Sequence, residues 1–214
     1  MKKTLAYTIS GWNRRRKWKL FLECMKPTQN TKILDVGFNN VEYSETDNFI
    51  EKNYPHLTHV TALGIGESEL FKKKYPEVST VVYDGKVFPF GDKKFDLCWS
   101  NAVIEHVGTR EDQKFFLSEI NRVARTFFIT TPNKFFPFEV HTRVPLLHIL
   151  LPKKWFDRIL KMIGKGWATG NYMRLLSYRD IKALLKEVGI VEYKIIRNRF
   201  CGFTLDFVIM VTPK

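Results

Sequence analysis

The feature that most constrains this chain is an alternation. Five short runs rich in Val, Ile, Phe and Thr are separated by helix-like segments: KILDVG (32–37), HVTALGI (59–65), VSTVVYD (78–84), FDLCWS (95–100) and TFFITT (126–131). Such runs suit strands covered on both faces, and strands that alternate with helices imply a parallel sheet. Two later runs, VEYKIIRNRF and FTLDFVIMV, meet at Cys201-Gly202 and read as a closing antiparallel hairpin. The expected fold is α/β, a mostly parallel seven-stranded sheet with helices on both faces and that hairpin at the C-terminal end.

Helix starts are marked by hydroxyl–carboxylate pairs three residues apart. Ser44 with Asp47, Thr109 with Asp112, and Ser177 with Asp180 all have capping-box spacing. The clearest helix runs from Tyr178 to Val188, with Ile181, Leu184, Leu185 and Val188 on one face and Gly189 placed to end it. In GWNRRRKWKLFLECM, Trp18, Phe21, Leu22 and Met25 have helical spacing, which predicts a helix packed near the first strand. Its Arg14, Arg15, Arg16 and Lys17 read as a solvated basic face, with phosphate binding as the sharper alternative.

A chain of 214 residues is read as one domain, 1–214, with a basic N-terminal helix over 1–30 and a basic amphipathic lid or insertion over 134–176. The net charge of +13 is confined to two places. Residues 1–26 hold eight Lys or Arg against one acid, residues 141–176 hold seven against one, and the rest is balanced. A basic rim or lid on a neutral enzyme gives this pattern, as does a polyanion binder. No apolar run reaches the roughly 18 residues of a membrane-spanning helix. The opening lacks a continuous apolar core and a cleavage site, so the chain is read as cytoplasmic. Cys24, Cys98 and Cys201 fit neither a disulfide framework nor a metal site, and no metal is expected.

In an open parallel sheet, ligands bind beyond the carboxyl ends of the strands. That rule selects Asp35 and Gly37 after the first strand, Gly64, Gly66 and Glu67 after the second, and Asp84 and Gly85 after the third. Ser100, Asn101 and Ala102 follow the fourth, and Thr131, Pro132 and Asn133 the fifth.

Four blocks in these places, ILDVG, YDGKVFPFGDKKFDLCWSNAVIEHVG, EINRVARTFFITTPNKFFP and LLSYRDIKALLKEVGI, resemble class I S-adenosylmethionine-dependent methyltransferases. The similarity is to the type 11 group, covers roughly residues 30–190 and keeps the order of the blocks. It implies a Rossmann-like fold and S-adenosylmethionine as cofactor. By the resemblance, Asp35 and Gly37 lie at the methionine end of the cofactor. Asp84 accepts from the adenine amino group with Gly85 beside it, Asn101 and Ala102 run beneath the cofactor, and His106 faces the acceptor. A neutral adenine needs an acceptor for its amino group, and a sulfonium cation tolerates nearby acids and carbonyls.

The chain departs from that family at two points. Its first loop usually reads Gly-x-Gly-x-Gly, whereas here Gly37 is followed by Phe38, Asn39 and Asn40. Asparagine tolerates left-handed backbone angles best among non-glycine residues, so a turn is still expected there, with Phe38 reshaping the pocket. After the second strand, Gly64 stands where the family places an acid against the ribose hydroxyls, and Glu67 is the candidate to reach back.

Candidate bases are His106 and, after the fifth strand, His141, because imidazole titrates near neutrality. Glu105 reads as a solvated or capping residue. Many methyl transfers need only in-line positioning, so a base is not required. In 144–167, Trp155, Phe156, Ile159, Leu160 and Ile163 share one helical face, and Lys154, Asp157, Arg158 and Lys161 share the other. A basic amphipathic helix with tryptophan suits either an anionic membrane surface or a lid over the substrate.

The leading functional reading is methyl transfer from S-adenosylmethionine to a small-molecule or lipid-like acceptor, anionic by the charge pattern. It allows peripheral contact with a membrane and needs no obligate protein partner. A nucleic-acid methyltransferase is the second reading, prompted by a pI near 9.6. Against it, the fourth strand ends in SNAV, with neither a (D/N)PP(Y/F) signature nor a Pro-Cys pair. A binding module that has lost the cofactor is the third, prompted by Phe38 and Gly64.

Overall fold

The computed structural model describes residues 5–138, 151–166, 169 and 173–213. Seven strands form one sheet, numbered along the chain: β1 (Ile33–Val36), β2 (Val60–Gly64), β3 (Ser79–Val82), β4 (Phe95–Asn101), β5 (Ala124–Pro132), β6 (Lys194–Phe200) and β7 (Phe203–Val211). Their order across the sheet is β3-β2-β1-β4-β5-β7-β6. β1 pairs in parallel with both β2 and β4, and β2 with β3, whereas β6 and β7 are antiparallel. The chain is therefore α/β and Rossmann-like, as its alternating pattern implies.

The chain divides into two compact units: residues 1–100, 120–128 and 211–214, and residues 101–119 and 129–210. In the first, β1 is buried along its whole length and β2 nearly so, because both are flanked by other strands. Helix α1 (Leu5–Met25) drives an aromatic group into this core. The Phe21 ring meets Trp99 at 4.8 Å and Phe128 at 5.4 Å, both edge-on, while Trp99 and Phe128 stack at 5.3 Å. Edge-on and stacked contacts of this kind contribute about 0.5–1.5 kcal/mol per pair beyond area burial.

The expected apolar face of α1 needs two corrections. Leu22 is exposed, while Lys17 is 6 % exposed and Arg14 lies over the Phe49 ring, 6.0 Å from its centroid. The cluster Arg14–Lys17 is thus not a uniformly solvated face. Arg15 and Arg16 are exposed, but Arg14 and Lys17 turn towards the protein.

The first unit also contains α2 (Phe49–Asn53) and α3 (Glu69–Lys74). Ser44 and Asp47 do bond as their spacing implies, Ser44 N–H donating to Asp47 Oδ2 at 2.9 Å. What they close is a turn rather than a helix start, because α2 begins five residues later behind Asn48, whose backbone is left-handed (φ 47°).

Helix α4 (Arg110–Val123), whose residues 110–119 belong to the second unit, starts behind Thr109, whose N–H donates to Asp112 Oδ2 at 2.7 Å. Helix α5 (Lys153–Met162) follows, and α6 (Tyr178–Glu187) carries the full capping box of Ser177 and Asp180. Gly189, at φ 79°, terminates α6. The β6–β7 hairpin turns through Cys201 and Gly202 alone, both at positive φ, so that Phe200 pairs with Phe203. Among the described residues, no helix is long and apolar enough to cross a membrane.

Candidate cofactor site

The loop after β1 is built from side-chain hydrogen bonds where glycines would normally give it freedom. Gly37, at φ 103°, makes the turn out of the strand. Asn39 and Asn40 do not adopt left-handed angles, contrary to the expectation from their residue type. Asn39 is held through its backbone instead: its N–H donates to Asn48 Oδ1 at 2.8 Å, and its carbonyl accepts from Asn48 Nδ2 at 2.8 Å. Asn40 reaches across to α3, where its Oδ1 accepts the N–H groups of Leu70 (2.9 Å) and Phe71 (3.1 Å). Those amides have no partner within the helix, so Asn40 caps α3 from another segment of the chain.

Glu42 secures the far side of the loop. It accepts from Asn48 Nδ2 at 3.0 Å, Tyr75 OH at 2.6 Å and Lys52 Nζ at 2.8 Å, and it also pairs with Lys74. Burial pushes its carboxyl up, but these four donors outweigh burial and hold it down at about 2.

Phe38 explains both departures from the glycine-rich pattern at once. Its ring packs on Phe71, centroids 4.5 Å apart, and is 8 % exposed. The same ring lies over Gly64, where an added Cβ would fall 2.6 Å from Phe38 Cε1. An acid at position 64 cannot coexist with Phe38 in this place. Glu67, the proposed substitute for that acid, is exposed in the loop after β2.

The turn after β3, where the resemblance puts adenine, is exposed. Asp84 is exposed, and its Oδ1 accepts from Lys86 N–H at 2.9 Å, which shapes the turn after β3 while leaving Oδ2 available. Beside it, a Cβ added to Gly85 would stand 3.7 Å from Ile65 Cγ2. Ile65 is 68 % exposed, an apolar side chain next to an acceptor, as a planar purine requires. Sequence reading passed over Ile65 because an isoleucine at a strand end looks like core.

At the methionine end, Asp35 is buried at 6 % exposure on β1 and meets Glu51 of α2, itself 3 % exposed. Burial raises the Asp35 carboxyl to about 6, against the lowering effects of its hydrogen bond with Glu51 and the charge of Arg14. Burial, with the charge of Asp35 added, pushes Glu51 well above the usual carboxylate range. Glu51 was also missed, since an acid on a short helix usually faces water.

The strand-four loop belongs to the second unit. Asn101 Oδ1 accepts from Thr130 Oγ1 at 2.8 Å, and Ala102 N–H donates to the Thr130 carbonyl at 2.9 Å. Ala102 sits at φ 58°, a left-handed angle that costs a residue with a Cβ roughly 1–2 kcal/mol. His106 ends a 3-10 turn (Ile104–His106), half-buried, its N–H donating to the Val103 carbonyl at 2.8 Å. Glu105 is not solvated but fully buried, accepting from Thr131 Oγ1 at 3.0 Å, while its backbone carbonyl accepts from Arg174 N–H at 2.7 Å. Gln113 Nε2 ties the same turn down by donating to the carbonyls of Ile104 and Arg174. His141 lies outside the described residues. Among those residues no group of three or more His, Cys, Asp or Glu is placed to hold a metal.

The residues present thus fit S-adenosylmethionine at two of its three parts. The carboxyl of Asp35 lies where the resemblance puts the methionine end, and the acceptor Asp84 stands beside the apolar Ile65 where it puts adenine. Only the ribose lacks its usual acid.

Comparison with known proteins agrees. Residues 34–126 match the family model described as a methyltransferase domain. Comparison with curated proteins gives no match. Among solved structures, the fold is similar to a S-adenosylmethionine-dependent methyltransferase from Methanosarcina mazei, with 15 % identity and a TM-score of 0.52 over 86 % of this chain and 92 % of that one. A protein from Thermotoga maritima described as a possible histamine N-methyltransferase matches with 11 % identity and a TM-score of 0.57, over 98 % and 92 % of the two chains. The N-terminal domain of EvdMO1, solved with S-adenosylhomocysteine bound, matches with 17 % identity and a TM-score of 0.55, over 92 % and 79 %. At these identities the likeness carries the fold, and the sequence match carries a methyltransferase domain over residues 34–126. Together they give a methyltransferase domain over residues 34–126 and the fold of S-adenosylmethionine-dependent methyltransferases over most of the chain, which is consistent with a class I enzyme of the type 11 group.

Proposed function

We propose that the chain methylates a small-molecule or lipid-linked acceptor carrying negative charge, working at the surface of an anionic membrane. The observation that carries this reading is the exposure of α5. Leu160 is buried and Phe156 and Ile159 are partly covered, but Trp155, Met162 and Ile163 are 57 %, 85 % and 49 % exposed. The apolar arc of the helix is therefore wider than the surface that covers it. Lys154, Arg158 and Lys161 flank the uncovered part, and the Arg158 guanidinium lies 5.4 Å from the Trp155 ring centroid. An exposed tryptophan beside an unbalanced basic edge is the arrangement of a helix lying in a headgroup region.

When bound, the cofactor supplies an electrophilic methyl group on a sulfonium. The chain's own contribution is positioning: in the first unit, the Asp35 carboxyl for the methionine end and Asp84 for adenine, and, in the second unit taken by itself, the loop Asn101–His106 held by Thr130, Glu105 and Gln113. His106 is the candidate to take a proton from the acceptor.

The test supplies methyl-labelled S-adenosylmethionine to the protein with extracted lipids, a pool of phosphorylated metabolites, RNA and protein in separate reactions. Label entering the lipid or small-metabolite fraction is expected, with flotation on phosphatidylserine vesicles but not on phosphatidylcholine alone. Label entering RNA or protein instead would contradict the reading.

A further inference from the structure

The pair Asp35–Glu51 is unusual in its surroundings. Two carboxyl groups, one from β1 and one from α2, are hydrogen-bonded to each other in the first unit, both more than nine-tenths buried. No other residue's N–H or hydroxyl donates to either carboxylate oxygen of Glu51. A buried, charged and unsatisfied carboxylate is costly, and two in contact cannot both be ionised cheaply. In the free protein the pair therefore shares a proton.

The groups around the pair do not remove that need. Arg14 on α1 is the cation acting on Asp35. Glu42 in the loop after β1 adds negative charge at Glu51, the charge of Glu51 also acts on Tyr75 at the end of α3, and that of Asp35 acts on the Cys98 thiol of β4, whose register with Leu34 puts it on the other side of the sheet. Lys17, also buried on α1, completes the charged groups of that helix turned towards the protein. Among the described residues one guanidinium acts on the two carboxyls, so their charge is not fully balanced when both are ionised.

We propose that Glu51 acts with Asp35 as a two-carboxylate seat for the α-ammonium group of the cofactor, the arriving cation displacing the shared proton to solvent. This rests on the cofactor assignment above and extends it to a residue outside the glycine-loop motif. Charge is conserved in the exchange: one proton leaves as one ammonium enters, and Arg14 keeps its place. Binding of the cofactor or its demethylated product is then coupled to proton release, and its affinity rises with pH while the pair is protonated.

Calorimetric titration with S-adenosylhomocysteine in two buffers of different ionisation enthalpy reads the exchange directly. About one proton released per ligand bound is expected near neutral pH. Glu51→Gln keeps the shape of the side chain and has no proton to lose, so release falls towards zero and affinity drops about tenfold. 5′-Methylthioadenosine, which lacks the ammonium group, serves as the control: it binds with no proton release and with equal affinity to both proteins. Binding of S-adenosylhomocysteine without proton release would overturn the proposal, as would an equal loss of affinity for the two ligands in Glu51→Gln. No binding of either ligand to the unaltered protein would overturn the cofactor assignment itself, and the proposal with it.

Discussion

The ring of Phe38 occupies the space that any side chain at position 64 would need, with Cε1 2.6 Å from where a Cβ on Gly64 would be. Two departures from the family pattern, an aromatic residue in the glycine loop and a missing acid after the second strand, are one structural change. The ring fills the room of the acid's own Cβ and packs on Phe71, so the first loop is closed by apolar contact instead of a hydrogen bond to ribose.

From this it follows that restoring the acid alone does harm. Gly64→Asp forces the Phe38 ring aside and is expected to cost about 2–3 kcal/mol, the scale of overpacking a filled site. Phe38→Ala alone loses a buried aromatic contact, for about 3 kcal/mol. The double variant is expected to be more stable than the sum of the two changes by at least 1 kcal/mol, since the clash is gone. Urea unfolding of the four proteins measures this coupling; strict additivity would refute the link.

Asn40 makes a separate claim on the same loop. Its Oδ1 is the acceptor for two free amides at the start of α3, so Asn40→Ala is expected to lose about 1 kcal/mol of stability. Asn40→Asp keeps the acceptor and places a negative charge at a helix start, so it is expected to retain or slightly exceed the original stability. Equal losses in both variants, measured by denaturant unfolding, would mean that the cap is not what the asparagine supplies.

Much of this architecture was legible in the chain. The seven strands lie within a few residues of where apolar runs put them, and β7 coincides with its run, because strands inside the sheet are largely apolar; β3, at the edge, is only partly covered, and β7 buries Asp206 against Asn198. The boxes at Thr109 and Ser177 start helices as their spacing implies. Ser44 and Asp47 form the same bonds without a helix following, since local pairing closes a turn equally well. What the sequence did not disclose are contacts made at a distance. Asn40 caps a helix thirty residues on, Glu51 meets Asp35 from another element, and Gly64 is glycine because of Phe38. No local spacing encodes those relations. Glu105 reads as a surface acid for the same reason: its bond with Thr131 is made to another strand.

The buried carboxyls also set a pH dependence of stability. Asp35 and Glu51 have folded pKa values raised above their unfolded ones, so the folded state binds more protons and stability falls as pH rises from about 4 through 6 and beyond. Glu42 works in the opposite sense: its depressed value gives stability present above about 4.5 and lost as pH falls towards 2. Glu51→Gln removes the first effect and leaves the second. Relative to the unaltered protein, this variant is expected to gain stability between pH 5 and pH 8, as followed by chemical denaturation at each pH. A constant difference across that range would contradict the shared proton.

The central claim is that a loop rebuilt around Phe38, Asn39 and Asn40 still holds the cofactor, and thermal unfolding with S-adenosylhomocysteine tests it most directly. At about 100 times its dissociation constant the ligand adds roughly 2.7 kcal/mol. For a chain of this size that corresponds to a rise of about 5–10 °C in Tm, and this rise is the predicted result. An unchanged Tm at millimolar ligand would contradict the account, because it would mean that Phe38 closes the site it now borders.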